Sequence, residues 1–257
     1  MIFKLALVIS SLGMLFLRSP GHFDPDNLYT DIQSSQEVTS TPPLPQTFTY
    51  IGEGAQVYAF ASENGELVLK LFKAEHNKTP KLSRILSHLK RSKADWQTSH
   101  NKWKWKFEET TRRYNLALRD LKEETGLVFL HFEKTEEPLL VTLIGKYTHQ
   151  VDLAPLPFIV QKKAELAPAY FARLKEEGNL EKLTEAKKAL KQFFVVRAQK
   201  GYSDPRQSLS VNYGFLGDRP IQIDVGKIEP FQGDLAEEMR PIHAKIDEWV
   251  KQFGDLL

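Results

Sequence analysis

The stretch from Gly201 to Gly226, GYSDPRQSLSVNYGFLGDRPIQIDVG, constrains the fold most. Asn212 leads into an apolar run, Tyr213-Gly214-Phe215-Leu216, and a polar turn, Gly217-Asp218-Arg219-Pro220, follows. The alternating Ile221-Gln222-Ile223 then delivers Asp224-Val225-Gly226. This order predicts strand, tight turn, strand. Such a hairpin brings Asn212 and Asp224 to the same end. An amide oxygen beside a carboxylate suits a magnesium ion that still carries phosphate oxygens. Taken alone, the same two residues are also ordinary turn formers, so the rest of the chain must decide.

Three more strands are predicted upstream. Phe48-Thr49-Tyr50-Ile51 alternates, Gly52-Glu53-Gly54-Ala55-Gln56 is a turn, and Val57 to Ala61 is a second strand. After the turn Glu63-Asn64-Gly65-Glu66, Leu67 to Phe72 is a third. Gly52 and Gly54 leave backbone N–H groups open to phosphate oxygens, without Cβ interference. The next element is a strand rather than a helix, which argues against a dinucleotide fingerprint. Lys70 alternates with Leu69 and Leu71, so it is placed on the sheet face under the glycine turn.

A long charged helical region is predicted from Pro80 to Glu124, stopped by Thr125-Gly126. Lys78, Lys81, Arg84, Lys90, Arg91, Lys93, Lys102, Lys104 and Lys106 mark its first half, interleaved with Trp96, Trp103 and Trp105. Residues 78–106 form either a solvated helix with inward-packed Trp, or a surface for anionic lipid headgroups or a phosphate-rich substrate. No nucleic-acid motif accompanies them. Strands are predicted at Leu127–Phe132 and Leu139–Ile144, flanking the polar turn Glu133–Glu137, and at Pro157–Lys162. His131 reads as a structural strand residue. Helices follow at Ala167–Lys175 and Leu180–Lys200, the latter with Leu183, Leu190 and Phe194 on one stripe and Gly201 as its stop. A last helix is predicted from Glu237 to Phe253.

The glycine turn, the third-strand Lys70, and Asn212 before a hairpin ending in Asp224-Val225-Gly226 together resemble the protein-kinase-like superfamily. The resemblance runs from Phe48 to about Glu229. It implies a bilobal α+β fold with an antiparallel small-lobe sheet over about 47–165 and a reduced helical large lobe over about 166–257. It further implies ATP and Mg2+ as cofactors, with Gly52, Gly54 and Lys70 at the phosphates and Asn212 and Asp224 as metal ligands. Lys163-Ala164-Glu165-Leu166 then becomes the hinge that meets adenine. A helical Glu pairs with the strand Lys in that family, and Glu108, Glu109 and Glu123 are the candidates. Three departures stand out. Val57 occupies the third glycine position of the loop. Gln207, preceded by Arg206, stands where the family has its catalytic Asp, five positions before Asn212; Gln is no general base near neutral pH. Asp204 is the substitute candidate, or Asp204-Pro205 is only a turn. Finally, the chain after Gly226 is too short for an activation segment, and no Ala-Pro-Glu motif is present.

Composition narrows the alternatives further. With no Cys, thiol catalysis, disulfides and thiolate metal sites are excluded. A formal charge of +2 over 257 residues does not point to nucleic acid. Lys4 precedes an apolar run from Leu5 to Leu17, so residues 1–18 read as an export signal or membrane anchor, and 19–46 as a flexible linker rich in Pro, Ser, Thr and Gln. Membrane association or export follows, with its side undetermined. Three function classes remain: a phosphotransferase acting on a small-molecule, lipid or saccharide hydroxyl, a nucleotide- or partner-binding pseudokinase, and a membrane-surface module.

Overall fold

The structure is a computed structural model that describes residues 23–33, 42–74 and 93–254. The expected signal or anchor at 1–18 and the basic positions from Lys78 to Arg91 lie outside the described residues, as do the side chains of Lys93, Trp96, Lys102 and Trp103. Lys104 and Trp105 are exposed. No helix among the described residues is long and apolar enough to cross a membrane.

The fold is α+β, and the chain divides into two compact units: Met1–Lys78 with Phe129–Val160, and Thr79–Val128 with Gln161–Leu257. The helix expected in the small lobe therefore belongs to the second unit. Its end is tied there, where the Tyr202 hydroxyl donates to Asp120 and the Lys200 ammonium meets Glu124 at 2.6 Å.

A seven-stranded sheet forms the first unit, in the order β4-β7-β3-β2-β1-β5-β6. These strands are β1 (Thr47–Glu53), β2 (Val57–Ser62), β3 (Leu67–Phe72), β4 (Leu127–His131), β5 (Leu140–Ile144), β6 (Thr148–Asp152) and β7 (Phe158–Lys162). Strands β1, β2 and β3 run antiparallel in succession, as their alternation predicts. Strand β5 does not fold back on β4. It pairs in parallel with β1, through Phe48↔Leu143, and carries β6 outward as an antiparallel edge. Buried Phe48, Phe60, Leu69, Leu71, Leu143 and Phe158 make the core. His131 stacks on Phe158 at 4.6 Å and donates from Nδ1 to the Leu156 carbonyl at 2.8 Å. Burial lowers its pKa, consistent with a neutral structural imidazole.

Residues 23–33 are not free linker. Asp24 caps the 3₁₀ turn Pro25–Asn27, and the Asn27 amide donates to the Tyr58 hydroxyl at 3.1 Å. The Tyr29 N–H donates to the Phe72 carbonyl at 3.0 Å, and Phe23 packs edge-on against Phe60 at 5.0 Å. The segment is polar on average, but Phe23, Tyr29 and Ile32 are buried. Those three side chains offset the entropy of ordering it.

In the second unit the helices are α1 (Lys93–Asp120), α2 (Lys122–Thr125), α3 (Ala167–Glu176), α4 (Leu180–Gln199), α5 (Leu209–Asn212) and α6 (Leu235–Val250). Asn179 caps α4 and Asp234 caps α6, each side chain accepting from a backbone N–H three residues on. Leu183, Ala186, Leu190 and Phe194 of α4 face Met239, Ile242, Ile246 and Val250 of α6 in one core, an i, i+3/i+4 stripe on each helix. Strands β10 (Tyr213–Leu216) and β11 (Arg219–Gln222) form the expected hairpin. Its partner is β8 (Glu165–Leu166), while β9 (Tyr202–Ser203) pairs β12 (Glu229–Pro230).

The Asp120–Tyr202 link should make itself felt in acid. Arg119 chiefly, and then Tyr202, hold the Asp120 carboxyl down to about 2. A depressed folded-state value stabilises above the unfolded carboxyl pKa, near ~3.9, and that contribution is lost as pH falls toward the folded value. Urea melts of wild type and Asp120→Asn should therefore differ at pH 5 and draw together progressively between pH 4 and pH 2. A gap constant across that range would refute the link.

Candidate functional site

The hairpin register runs from Tyr213↔Gln222 to Leu216↔Arg219. Beyond its last pair, the Ile223 N–H donates to the Asn212 carbonyl at 2.7 Å. Asn212 and Asp224 thus share the open end of the hairpin, away from the Gly217 turn. Asp224 is exposed, and its Oδ1 accepts from the Gly226 N–H at 2.9 Å. Asn212 is half-buried at the end of α5. From α1, Arg113 donates to the Gly226 carbonyl at 2.8 Å. Burial raises the Tyr114 hydroxyl pKa well above its usual value; the Asp224 charge adds to this and a Val225 backbone hydrogen bond opposes it. Among the described residues no group of three or more His, Cys, Asp or Glu is placed to hold a metal. The Asn212–Asp224 pair offers two protein oxygens, a donor set that suits magnesium when phosphate and water complete its shell.

A buried polar network lies against this end. Asp204 is 0% exposed. Its Oδ1 accepts from the N–H groups of Arg206 at 2.9 Å and Gln207 at 3.4 Å, and its Oδ2 from the Gln222 amide at 2.7 Å. That amide also donates to the Asp224 carbonyl at 2.9 Å, while its oxygen accepts from the Arg197 guanidinium at 2.8 Å. Arg197 donates in addition to the Tyr213 hydroxyl at 3.0 Å and lies over the Phe194 ring at 4.9 Å. Gln222 is therefore the neutral connector between a buried carboxylate and a buried guanidinium. Burial pushes the Tyr213 hydroxyl far above its usual pKa, so it stays neutral while accepting from Arg197.

The loop that Asp204 folds is tightly determined. Gln207 sits at φ 39°, the one non-glycine residue with positive φ among the described residues. Its carbonyl accepts from Lys245 at 2.7 Å and that of Arg206 from the same ammonium at 3.2 Å. A left-handed Gln persists only where its surroundings over-determine it. Here the Asp204 turn and the Lys245 clamp do so. Asp204 has both oxygens engaged away from solvent, which suits holding a loop better than abstracting a proton from an arriving hydroxyl.

Gly52, Gly54 and Lys70 belong to the first unit. Gly52 has φ 152° beside a bulge in β1. The Gly54 N–H, expected to face phosphate, instead donates to the Val57 carbonyl at 2.8 Å. Lys73 holds the turn from below. Its ammonium lies 2.8 Å from Glu53 and 2.9 Å from the Gly54 carbonyl, and 4.6 Å over the Tyr58 ring. Lys70 is largely buried in β3, opposite Ala59. Lys73 is not among the residues that the sequence pattern singles out. Its signal was a lysine directly after an otherwise apolar strand end.

Three of the four remaining candidates have partners of their own. The Glu165 carboxylate is gripped in a fork by Arg173 at 2.9 and 3.1 Å, and Glu165 and Leu166 pair with Phe215 and Gly214. The expected hinge is thus a ladder strand at those two positions. Glu109 pairs with Arg112 at 3.0 Å, Glu123 with Arg219 at 2.7 Å, and Glu108 is exposed.

No protein-family model and no curated protein matches the chain. Among solved structures, Rv3197 of Mycobacterium tuberculosis, in complex with erythromycin, is similar to it with a TM-score of 0.34 and 17% identity, over 79% of this chain and 54% of that one. The chain thus spans about half the length of that protein.

Proposed function

We propose that the chain is a kinase-like protein that binds a magnesium–nucleotide without efficient phosphoryl transfer. The observation that carries this reading is the open end of the β10–β11 hairpin, where an exposed carboxylate and an amide share one edge. Asn212 and Asp224 would hold the ion, which when bound offsets the phosphate charge. Lys70 is the phosphate-contacting lysine that the family resemblance implies. The saturated, buried Asp204 supports binding over transfer, because a base must reach the proton it takes. Gln207, at the family's catalytic position, has no proton-accepting side chain.

The test is calorimetry of the full chain with ATP, with magnesium and with EDTA. Asp224→Asn is the informative variant, since its amide oxygen can still cap Gly226 while the charge is lost. Affinity for magnesium–ATP should fall about ten-fold or more, and Lys70→Ala should also weaken it. Magnesium-independent binding, or unchanged affinity in both variants, would overturn the proposal. Steady turnover of ATP with a small-molecule, lipid or saccharide acceptor would replace it with the phosphotransferase reading.

A further inference from the structure

Strand β5, in the first unit, is apolar on both faces. Val141 and Leu143 are buried in the core of the sheet, while Leu140 and Ile144 are exposed on the other side, Leu140 to 63%. A strand with one solvated face ordinarily alternates apolar with polar. The exposure continues into the β5–β6 turn. Tyr147 is 65% exposed there, and the Lys146 ammonium stands 5.3 Å from the centre of its ring. Ile51 is exposed as well, two positions beyond Thr49, the β1 partner of Ile144. On the β6 side Ile144 pairs with Thr148 and Thr142 with Gln150, both neutral. Asp152 pairs with Leu140 at the far end, and its Oδ1 already accepts from the Leu139 and Ala154 N–H groups.

The chain itself leads to this turn. Phe23 packs edge-on against His149 of β6 at 5.6 Å, and its Cβ lies 4.0 Å from where a Gly145 Cβ would stand. The apolar run Leu5–Leu17 ends six positions before Phe23. As a membrane anchor it would keep Phe23 within about 20 Å of the bilayer, since each residue extends at most ~3.3–3.6 Å. An exposed apolar patch marks a lipid or a protein contact, and a tether that delivers the patch to a bilayer favours lipid. Tyr, with an apolar ring and a polar tip, and Lys, with a long apolar stem, suit the headgroup boundary. We infer that the β5–β6 turn lies in the headgroup region of a phospholipid bilayer, with Ile51, Ile144 and Tyr147 inserted and Lys146 at lipid phosphate.

The chain has no Cys, so one introduced thiol can carry an environment-sensitive dye. The full chain is labelled as Ile144→Cys, Tyr147→Cys or Glu136→Cys and reconstituted in phosphatidylcholine vesicles, with and without nitroxide-bearing phosphatidylcholine. Glu136 is exposed in the connection that enters β5 at Leu140, the far end of that strand from Tyr147. Labels at 144 and 147 should emit to the blue of the label at 136 and lose emission to the nitroxide lipid, which the label at 136 should not. High salt should leave both readings unchanged, because the contact is apolar. Ile51→Ser with Tyr147→Ser should reverse the shift and the quenching at 144, while the anchor keeps the chain on the vesicles. Equal quenching at all three positions, or no association with vesicles, would overturn the inference. So would a blue shift without quenching, which would put a protein partner on this face.

Discussion

Asp204→Asn is expected to lower the stability of the second unit by about 2–4 kcal/mol, although it removes a single charge and no volume. Hydrogen-bond direction is the reason. Gln222 donates from its amide nitrogen to Asp204 and accepts on its oxygen from Arg197. In the Asp204→Asn variant one atom of the carboxylate pair becomes a donor. If the remaining oxygen stays on the Arg206 N–H, the new nitrogen faces the Gln222 nitrogen. Turning the Gln222 amide over moves the conflict to Arg197, and turning the introduced amide over moves it to the Arg206 N–H. No arrangement satisfies every member, and Gln222 and Asp204 are fully buried, so water cannot relieve the mismatch.

The same variant separates two roles for Asp204. A general base contributes turnover, so Asp204→Asn would then lose ~10²–10⁴-fold in rate with an unchanged melting curve. A loop-holding carboxylate loses stability instead. Gln222→Leu should match the stability loss, because it strands both Asp204 and Arg197. A melting temperature within a degree of wild type in Asp204→Asn and Gln222→Leu would dismiss the structural role.

The hairpin was legible because its signal is local. Alternation, a Gly-Asp turn and paired lengths lie within ten residues, and they fix the register that brings Asn212 and Asp224 to one end. The strands β1 to β3 were legible for the same reason. Strand β5 was not. Its partner, β1, pairs from 95 residues upstream, as in Phe48↔Leu143, and nothing in Leu139–Ile144 distinguishes that pairing from a hairpin with β4. Strand β6, Thr-His-Gln-Val-Asp, has no buried face to announce it. Arg197 lies three residues beyond Phe194 and seven beyond Leu190, on the α4 stripe that sequence identified. Its charge masked a position that the helical period had already marked as inward. Gln222 was visible only as the polar member of an alternating strand, and its bridging role depends on side chains from α4 and the Asp204 loop.

Gly214→Ala should be nearly as damaging, for a reason of space rather than polarity. A Cβ there would stand 2.6 Å from the Glu165 carbonyl oxygen and 3.0 Å from the Ala164 Cβ. The nearer obstacle is backbone in a paired strand, so relief requires β8 to part from β10. The pairing anchors more than itself: Phe215 stacks on Tyr170 at 4.1 Å, and Tyr170 donates to Asp218 across the turn. Overpacking of this kind costs about 1–3 kcal/mol. For a unit of this size each ~1 kcal/mol shifts the melting temperature by about 2–4 °C. Gly217, three residues on, is the internal control. It has φ 61° and open space around the missing Cβ, so Gly217→Ala carries only the left-handed backbone penalty, about 1 kcal/mol. The expected order of melting temperatures is wild type, then Gly217→Ala, then Gly214→Ala, with Gly217→Asn close to wild type because Asn tolerates positive φ. Equal losses in the two alanine variants would show that β8 does not press on the hairpin at Gly214.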